Sequence, residues 1–541
     1  MKIKILTILI IISGILLRFY QLGNLPNSYS PDEVAQGYTA YSYLSTSKDE
    51  WSNSNPFVFQ SFGDYKAPFQ TWLMMISIKI FGLNTFSIRL PNAIFSSLAI
   101  ISTALLAQLL FKNALVTLFS SLLISFSPWH LPMSRLALEA NFTVFFSTLA
   151  SYLLLKKPSS KLFQFLASLL FSLNLFTYHS AKFFTPFLFL ATYLFVDKLN
   201  NFKKYFFYLT PFSLFLFINI FLSLSSSSRV GDISIFNPTD KWSGLSFDRY
   251  LLVLNNLPDL ISRIFNNKII YFLKSFFSNY LSYFSSQFFI TSGAGETTYG
   301  MLPGFGVLGL IPTTGFIYAL YQLITKPTKN KKSIIFLLFL ILISAIPAAL
   351  AKGSFPANRL SSMIPFIIIL SSFGLYQLLS NIPVSFKLLF IFVFLFNTFS
   401  FLITYFYSAN YRLAEGMLYG RKEAVDYLQS YPNSKVLISR SLSQPQAYYT
   451  FFAQINPLET QNNTSDWSRY HLENKSFLDQ LGEYSLTNVT FKNISSEDFL
   501  NYDIIIGKPE EFVSQTPTFQ IFYPNSNKPS ISIFNRLINE N

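Results

Sequence analysis

The chain has 541 residues, 51% of them hydrophobic and only 12% charged, with 63 Phe and a mean hydropathy of +0.37. A soluble domain carries about 25% charged residues, so most of this chain is membrane-embedded. The absence of cysteine excludes disulfides, thiolate nucleophiles and Cys-ligated zinc. The net charge of +14 does not mark a nucleic-acid binder, because no basic, aromatic-interleaved surface stands outside the apolar runs.

The charge is unevenly placed. Of 40 Lys and Arg and 26 Asp and Glu, the stretch from Phe406 onward holds 11 and 14, which leaves 29 against 12 in the first 405 residues. Residues 3–17 are apolar behind Lys2 and Lys4. No small-x-small cleavage site follows and Arg18-Phe19-Tyr20 continues the chain, so this run reads as a retained first span with a cytoplasmic N-terminus rather than a signal peptide. Further apolar runs lie at about 87–111, 114–128, 141–155, 161–177, 183–196, 205–224, 302–324, 333–350, 360–379 and 387–405. The total is about eleven spans, several shorter than the ~20 residues that cross a bilayer.

Alternation from a cytoplasmic start is tested by the loops. One set holds Lys112; Lys156, Lys157 and Lys161; Lys198, Lys203 and Lys204; Lys326, Lys329, Lys331 and Lys332; and Lys387. The opposite short loops hold Arg135 with Glu139, Lys182, and Lys352 with Arg359. Lysine on one side predicts the cytoplasmic face there. Two long segments, 20–86 and 225–301, then face outward. In the first, Pro68–Met75 predicts a helix lying on the membrane. In the second, Leu254, Leu257, Ile261, Ile264 and Phe265 alternate with Asn255, Asn256, Asp259, Arg263 and Asn267 at helical spacing, which predicts an interfacial helix. The tail, 406–541, falls outside as well. Its helical pattern at 423–428 and strand-like runs at 435–439 and 502–506 predict a small α/β domain. The expectation is thus an all-α polytopic membrane domain (1–405) with an α/β extracytoplasmic domain (406–541), in a multi-pass protein of the cell membrane.

The chemistry-bearing residues lie in the outward loops. Asp32-Glu33, after Pro31, offers a carboxylate that takes a proton from an attacking hydroxyl, or else a solvated acidic turn. Lys66, before Ala67-Pro68 and a helix start, suits a bound anion such as a phosphate, or a snorkelling lysine. Arg135 and Glu139 at i and i+4 predict a helix salt bridge or a phosphate or sugar contact. His130 and His179, the latter flanked by Tyr178 and Lys182, could relay a proton or bind metal. Asp32, Asp64 and His179 are the candidate ligands for a divalent ion. Gly304-Phe305-Gly306-Val307-Leu308-Gly309 matches G-x-G-x-x-G without the strand or acidic residue of a nucleotide site, and predicts a small-residue helix-packing surface. P-loop, H-E-x-x-H, G-x-S-x-G and D-x-D patterns are absent.

In order along the chain stand Pro31-Asp32-Glu33; Lys66-Ala67-Pro68 with Phe81-Gly82 and Ser87-Ile88-Arg89-Leu90-Pro91; Ser127-Pro128 with Ser134-Arg135 and Glu139; Tyr178-His179-Ser180-Ala181-Lys182; and Asn358-Arg359-Leu360. This set resembles the GT-C superfamily of membrane glycosyltransferases, in the branch of protein O-mannosyltransferases and lipid A aminoarabinose transferases, over Ile3 to about Phe452. The resemblance implies inverting transfer of a sugar, mannose or another hexose, from a polyprenyl-phosphate donor to a hydroxyl of a protein, lipid or glycan acceptor on the outer face. It implies Asp32 and Glu33 as catalytic residues. It also implies that Lys66, Arg89, Arg135, Glu139, Tyr178, His179, Lys182 and Arg359 bind donor phosphate or substrate. Departures are Lys66-Ala67-Pro68 where the family often has Lys-Pro-Pro, Lys182 where many relatives have arginine, and Tyr65 where aminoarabinose transferases carry a metal-binding Glu. The competing class is a lipid or polysaccharide transporter, which explains the spans but not the long polar loop after the first one.

Overall fold

The computed structural model describes residues 1–62, 64–196, 202–225, 234–236, 242–325, 329–353, 355–463, 483–513 and 515–539. Lys198 and Lys326 lie outside these residues, as does the side chain of Asp64. Helices occupy all eleven predicted apolar runs. They are α1 (Lys2–Phe19), α4 (Thr85–Phe111), α5 (Ala114–Ser125), α7 (Phe142–Lys156), α8 (Lys161–Asn174), α9 (His179–Val196), α10 (Phe206–Ser225), α14 (Leu310–Thr325), α15 (Lys331–Ala349), α16 (Ile364–Asn381) and α17 (Val384–Ile403). Among the described residues five segments are long and apolar enough to cross a membrane taken singly: Thr85–Phe111, Lys203–Leu222, Lys331–Ala349, Ser361–Asn381 and Val384–Arg412. The protein is a multi-pass membrane protein.

The loops between these helices carry the remaining elements. The first long loop holds α2 (Pro31–Thr46), a two-stranded hairpin of β1 (Phe59–Ser61) and β2 (Asp64–Lys66), and α3 (Pro68–Phe81). The short α6 (His130–Ser134) and a 3-10 turn at Glu139–Asn141 join α5 to α7. The second long loop holds α11 (Ser243–Leu254), α12 (Asp259–Phe265) and α13 (Lys268–Ser282). Pro258 precedes α12 and breaks what the apolar spacing predicts as one amphipathic helix.

The G-x-G-x-x-G stretch is a loop, not a helical face, and α14 begins only at Leu310. Gly304 and Gly309 take φ of +86° and +80°, a region glycine enters freely. A Cβ on Gly306 would fall 2.3 Å from the carbonyl oxygen of Phe289. Gly306 therefore serves a close backbone approach to the turn Gln287–Thr291.

The tail builds a six-stranded sheet in the order β4-β5-β3-β6-β8-β7, with β3 (Val436–Ser439) parallel to β5 (Val489–Lys492) and β6 (Ile504–Gly507). The strands β4 (Tyr484–Leu486), β7 (Phe519–Phe522) and β8 (Pro529–Asn535) pair antiparallel at its edges. Its apolar side continues into the first long loop, where Tyr29, Val34 and Tyr38 share one core with Tyr448, Phe451 and Ile506. Tyr448 also donates to the carbonyl of Tyr29 at 2.8 Å. The sheet thereby fixes the start of α2, and with it Asp32.

Candidate active site

Ser30 caps α2 from both directions. Its hydroxyl accepts from the Glu33 N–H at 3.3 Å, the Glu33 carboxylate accepts from the Ser30 N–H at 3.2 Å, and Pro31 takes the first helical position. This lock divides two consecutive carboxylates. Glu33 turns inward and is fully buried, whereas the Asp32 side chain is 28% exposed.

Glu33 is consumed by structure. Its Oε1 accepts from Arg89 Nε at 2.9 Å and from the Ala137 N–H at 3.0 Å, and its Oε2 accepts from Arg89 Nη2 at 3.3 Å as well as from Ser30. The other Arg89 N–H groups donate to the carbonyls of Leu22, Pro26 and Ser28. All five guanidinium donors are thus engaged within the protein. The expected catalytic role of Glu33 and phosphate role of Arg89 meet saturated groups.

Arg135 departs from expectation in the same way. The helix ends at Ser134, so no i,i+4 pair with Glu139 forms. The guanidinium instead donates to the carbonyls of Leu17, Arg18, Tyr20 and Leu25, at 2.5–3.3 Å, and closes the C-terminus of α1. His130 is also buried, with Nδ1 2.8 Å from Arg18 Nη2.

The remaining candidates converge. The β-hairpin carries Lys66 at the end of β2, and Nζ meets Asp32 Oδ1 at 2.6 Å. Burial by itself would lower the Lys66 ammonium, but Asp32 and Glu139 overcome it and hold its pKa above the ordinary value. Asp32 Oδ2 accepts from the hydroxyl of Tyr299 at 3.1 Å. Glu139, in the turn before α7, accepts from the Ala67 N–H and lies in the field of Lys66, Asp32 and Lys182. Burial, aided by the Asp32 charge, raises its carboxyl to about 7 against the pull of the two lysines. Lys66, His179 and Lys182 line one small cavity together with Asn219 and Tyr65. Tyr178 lies in the field of Arg359, Glu139 and Glu296.

Two residues of this cluster are missing from the sequence reading, Glu296 and Tyr299. Glu296 Oε2 accepts from the Ala357 N–H at 2.6 Å, and the carboxylate also takes the Asn358 N–H and faces Arg359. Burial raises it to about 7 despite those contacts. The available signal was the glycine-punctuated Gly293-Ala-Gly-Glu-Thr-Thr-Tyr-Gly300, a polar turn in an otherwise aromatic loop.

Of the candidate ligands for a divalent ion, the side chains of Asp32 and His179 are described and that of Asp64 is not. Among the described residues no three His, Cys, Asp or Glu side chains come together. Asp32 is held by Lys66 and Tyr299, and His179 Nε2 lies 3.3 Å from the carbonyl of Tyr65.

The chain is thus a polytopic helical domain with a lysine–carboxylate cluster in its loops. The family model for dolichyl-phosphate-mannose-protein mannosyltransferases matches residues 65–222, from Tyr65 beside Lys66 through α10. The chain is similar in structure to ArnT from Cupriavidus metallidurans bound to undecaprenyl phosphate, at 10% identity, 97% of each chain and a TM-score of 0.53. It is similar to the apo state of ArnT at 11% identity, 98% of each chain and a TM-score of 0.53. AglB from Archaeoglobus fulgidus, in complex with an inhibitory peptide and a dolichol-phosphate, overlaps at 13% identity, 94% of this chain, 69% of that one and a TM-score of 0.45. No curated protein matches in sequence. These likenesses to ArnT show the fold of the chain, and the family model covers its residues 65–222.

Proposed function

We infer that the protein transfers a hexose, mannose as the first candidate, from a polyprenyl-phosphate donor to a hydroxyl acceptor, with inversion. The observation that carries this reading is the Asp32–Lys66 pair, 2.6 Å long and edged by Tyr299 and Glu139. The lysine asymmetry supports an outward-facing site, a cytoplasmic N-terminus and an extracytoplasmic tail.

A sugar bonded to lipid phosphate is already activated, so the protein must position a hydroxyl, accept its proton and stabilise the departing phosphate. The phosphate of the donor competes with Asp32 for Lys66, next to the N-terminus of α3. Exchange of that contact lets Asp32 turn its Oδ1 to an incoming hydroxyl. The acceptor oxygen then attacks the anomeric carbon as its proton passes to Asp32. The bond from that carbon to the phosphate oxygen breaks, and both electrons leave with the polyprenyl phosphate. Lys66, Lys182 and Arg359 supply positive charge for the leaving group. Burial raises Glu139 and Glu296 to about 7, so around neutral pH they cancel only part of that charge. His179 shares the cavity of Lys66 and Lys182, Tyr178 lies in the field of Arg359, and Glu33, Arg89 and Arg135 hold the frame.

The test is label transfer by purified protein from radiolabelled polyprenyl-phosphate sugars into membrane extract, beside an Asp32→Ala variant. Transfer by the native protein and none by the variant is the expected result. No transfer from any donor overturns the enzyme reading, and equal transfer by the variant overturns the role of Asp32.

A further inference from the structure

The helix α13 belongs to none of the eleven apolar runs and lies just beyond the amphipathic stretch expected at 254–267. None of its 15 residues is buried. Helical spacing divides it into three sides. One side rests on α15. There the Asn279 amide donates to the carbonyls of Ala349 and Ala351 at 3.3 Å, and the Tyr280 hydroxyl donates to Leu342 at 3.0 Å. Just past the helix end, the Tyr283 hydroxyl donates to Ala348 at 3.2 Å. A second side carries Ile269, Leu273, Phe277 and Leu281, four residues apart and all exposed. The third carries Lys274, Ser275, Ser278 and Ser282.

These hydrogen bonds set the depth of α13. The span Lys331–Ala349 has 19 residues, so α15 is about 28 Å long and matches the ~30 Å hydrocarbon core from one surface to the other. Its Ala349 end leads to the loop of Arg359, on the side of Lys66 and Tyr178. Leu342 lies seven residues, about 10 Å, before that end. It is exposed, in a row with Ile335 and Phe339 along the flank that α15 presents to lipid. The Tyr280 hydroxyl thus reaches a carbonyl well below the membrane surface, on a lipid-facing flank. A row of exposed apolar side chains on a helix that rests there, with a lysine and three serines on the far side, fits the boundary between acyl chains and headgroups.

We propose that α13 lies in the plane of the membrane, in the leaflet next to the Asp32 site, and that its partner is the lipid surface. Ile269, Leu273, Phe277 and Leu281 enter the acyl-chain layer, and Lys274 reaches the headgroups. From α13 the chain runs through the turn Gln287–Thr291 to Glu296 and Tyr299, so the lipid contact supports the segment whose tyrosine touches Asp32. This assignment does not rest on the proposed transfer reaction.

The test uses the full-length chain, which has no cysteine, so that each single-cysteine variant carries one nitroxide. In liposomes of phosphatidylcholine and phosphatidylglycerol, collision of the nitroxide with oxygen and with a nickel chelate is measured at Leu273→Cys, Phe277→Cys and Leu281→Cys. Phe339→Cys on α15 is the lipid reference, and Val513→Cys on the sheet domain is the water reference. The oxygen-to-nickel ratio at the three apolar positions is expected to stand above the water reference and shift toward that of Phe339→Cys, while Ser278→Cys matches Val513→Cys. The three positions read the same contact, so a variant that fails to fold leaves two others. A ratio on the apolar row equal to that of Val513→Cys puts α13 in water and overturns the proposal. Low collision with both reagents on that row means that another protein surface covers it, and overturns the proposal as well. So does a lipid-like ratio at Ser278→Cys, which would sink the whole helix into hydrocarbon.

Discussion

Asp32 and Glu33 are neighbours in sequence, and each forms an ion pair with a buried base, yet the two pairs are built for opposite ends. Glu33–Arg89 is sealed. Both side chains are inaccessible, every Arg89 donor is used, and the carboxylate accepts from four N–H groups. Asp32–Lys66 keeps a part-exposed carboxylate beside a buried lysine, with the Tyr299 hydroxyl on its second oxygen. The difference teaches that satisfaction, not burial or charge, separates a frame from a site. A sealed, saturated pair has nothing left to offer a substrate, whereas a pair whose carboxylate reaches the surface can exchange its short contact for a phosphate.

The largest effect expected from breaking this comparison is on rate. Asp32→Asn keeps the shape and removes the base, and should lower label transfer by about 10²–10⁴-fold, the usual worth of a general base, while the melting temperature stays near the native value. Glu33→Ala should do the reverse. Leaving Arg89 buried without its carboxylate costs about 3–5 kcal/mol of stability, read as a lowered melting temperature and a poor yield of monodisperse protein. Molecules that fold should keep most of their transfer rate. A stable but inactive Glu33→Ala protein would give Glu33 the catalytic role that its hydrogen bonds argue against.

The pH dependence sharpens the same contrast at a smaller scale. Glu139 has its pKa raised from 4.5 to about 7, so between those values the folded state holds a proton that the unfolded state has lost. Stability contributed by that proton is full below about pH 4.5 and drains away as pH rises to about 7, by up to about 3 kcal/mol. Glu139→Gln should flatten the decline of melting temperature between pH 5 and 7. Parallel native and variant curves would mean that Glu139 is ionised in the fold.

What the sequence made legible follows from range. The apolar runs are local, and helices stand on each of them. Asp32 and Lys66 are 34 residues apart, but each carries a nearby cue, a proline-led helix start and a lysine before Ala-Pro. Local pattern misled where backbone contact decided. Arg135 and Glu139 have helical spacing, yet the α1 carbonyls claim the guanidinium and the helix stops at Ser134. Gly304–Gly309 reads as a packing face because spacing does not report φ. Tyr299 is 267 residues from Asp32, and Glu296 is 61 from Ala357, so no window of sequence holds either contact. Saturation is just as invisible, since five donors on Arg89 become five bonds only after the stretch from Leu22 to Glu33 folds back onto it.

The smallest effect concerns Glu296, which behaves like Glu33 in its bonds and like Asp32 in its place. It fastens the turn that carries Tyr299 to the loop that carries Arg359, through the N–H groups of Ala357 and Asn358. Glutamine keeps one acceptor oxygen but cannot take both N–H groups as a carboxylate does. Glu296→Gln should therefore loosen Arg359 while leaving the Asp32–Tyr299 contact in place. A loss of one hydrogen bond, about 0.5–1.5 kcal/mol, then appears as a rise of about twofold to tenfold in the KM for the polyprenyl-phosphate sugar, with kcat nearly unchanged. A fall in kcat at constant KM would mean that Glu296 acts on the transition state, and the division between frame and site would have to be redrawn to include it.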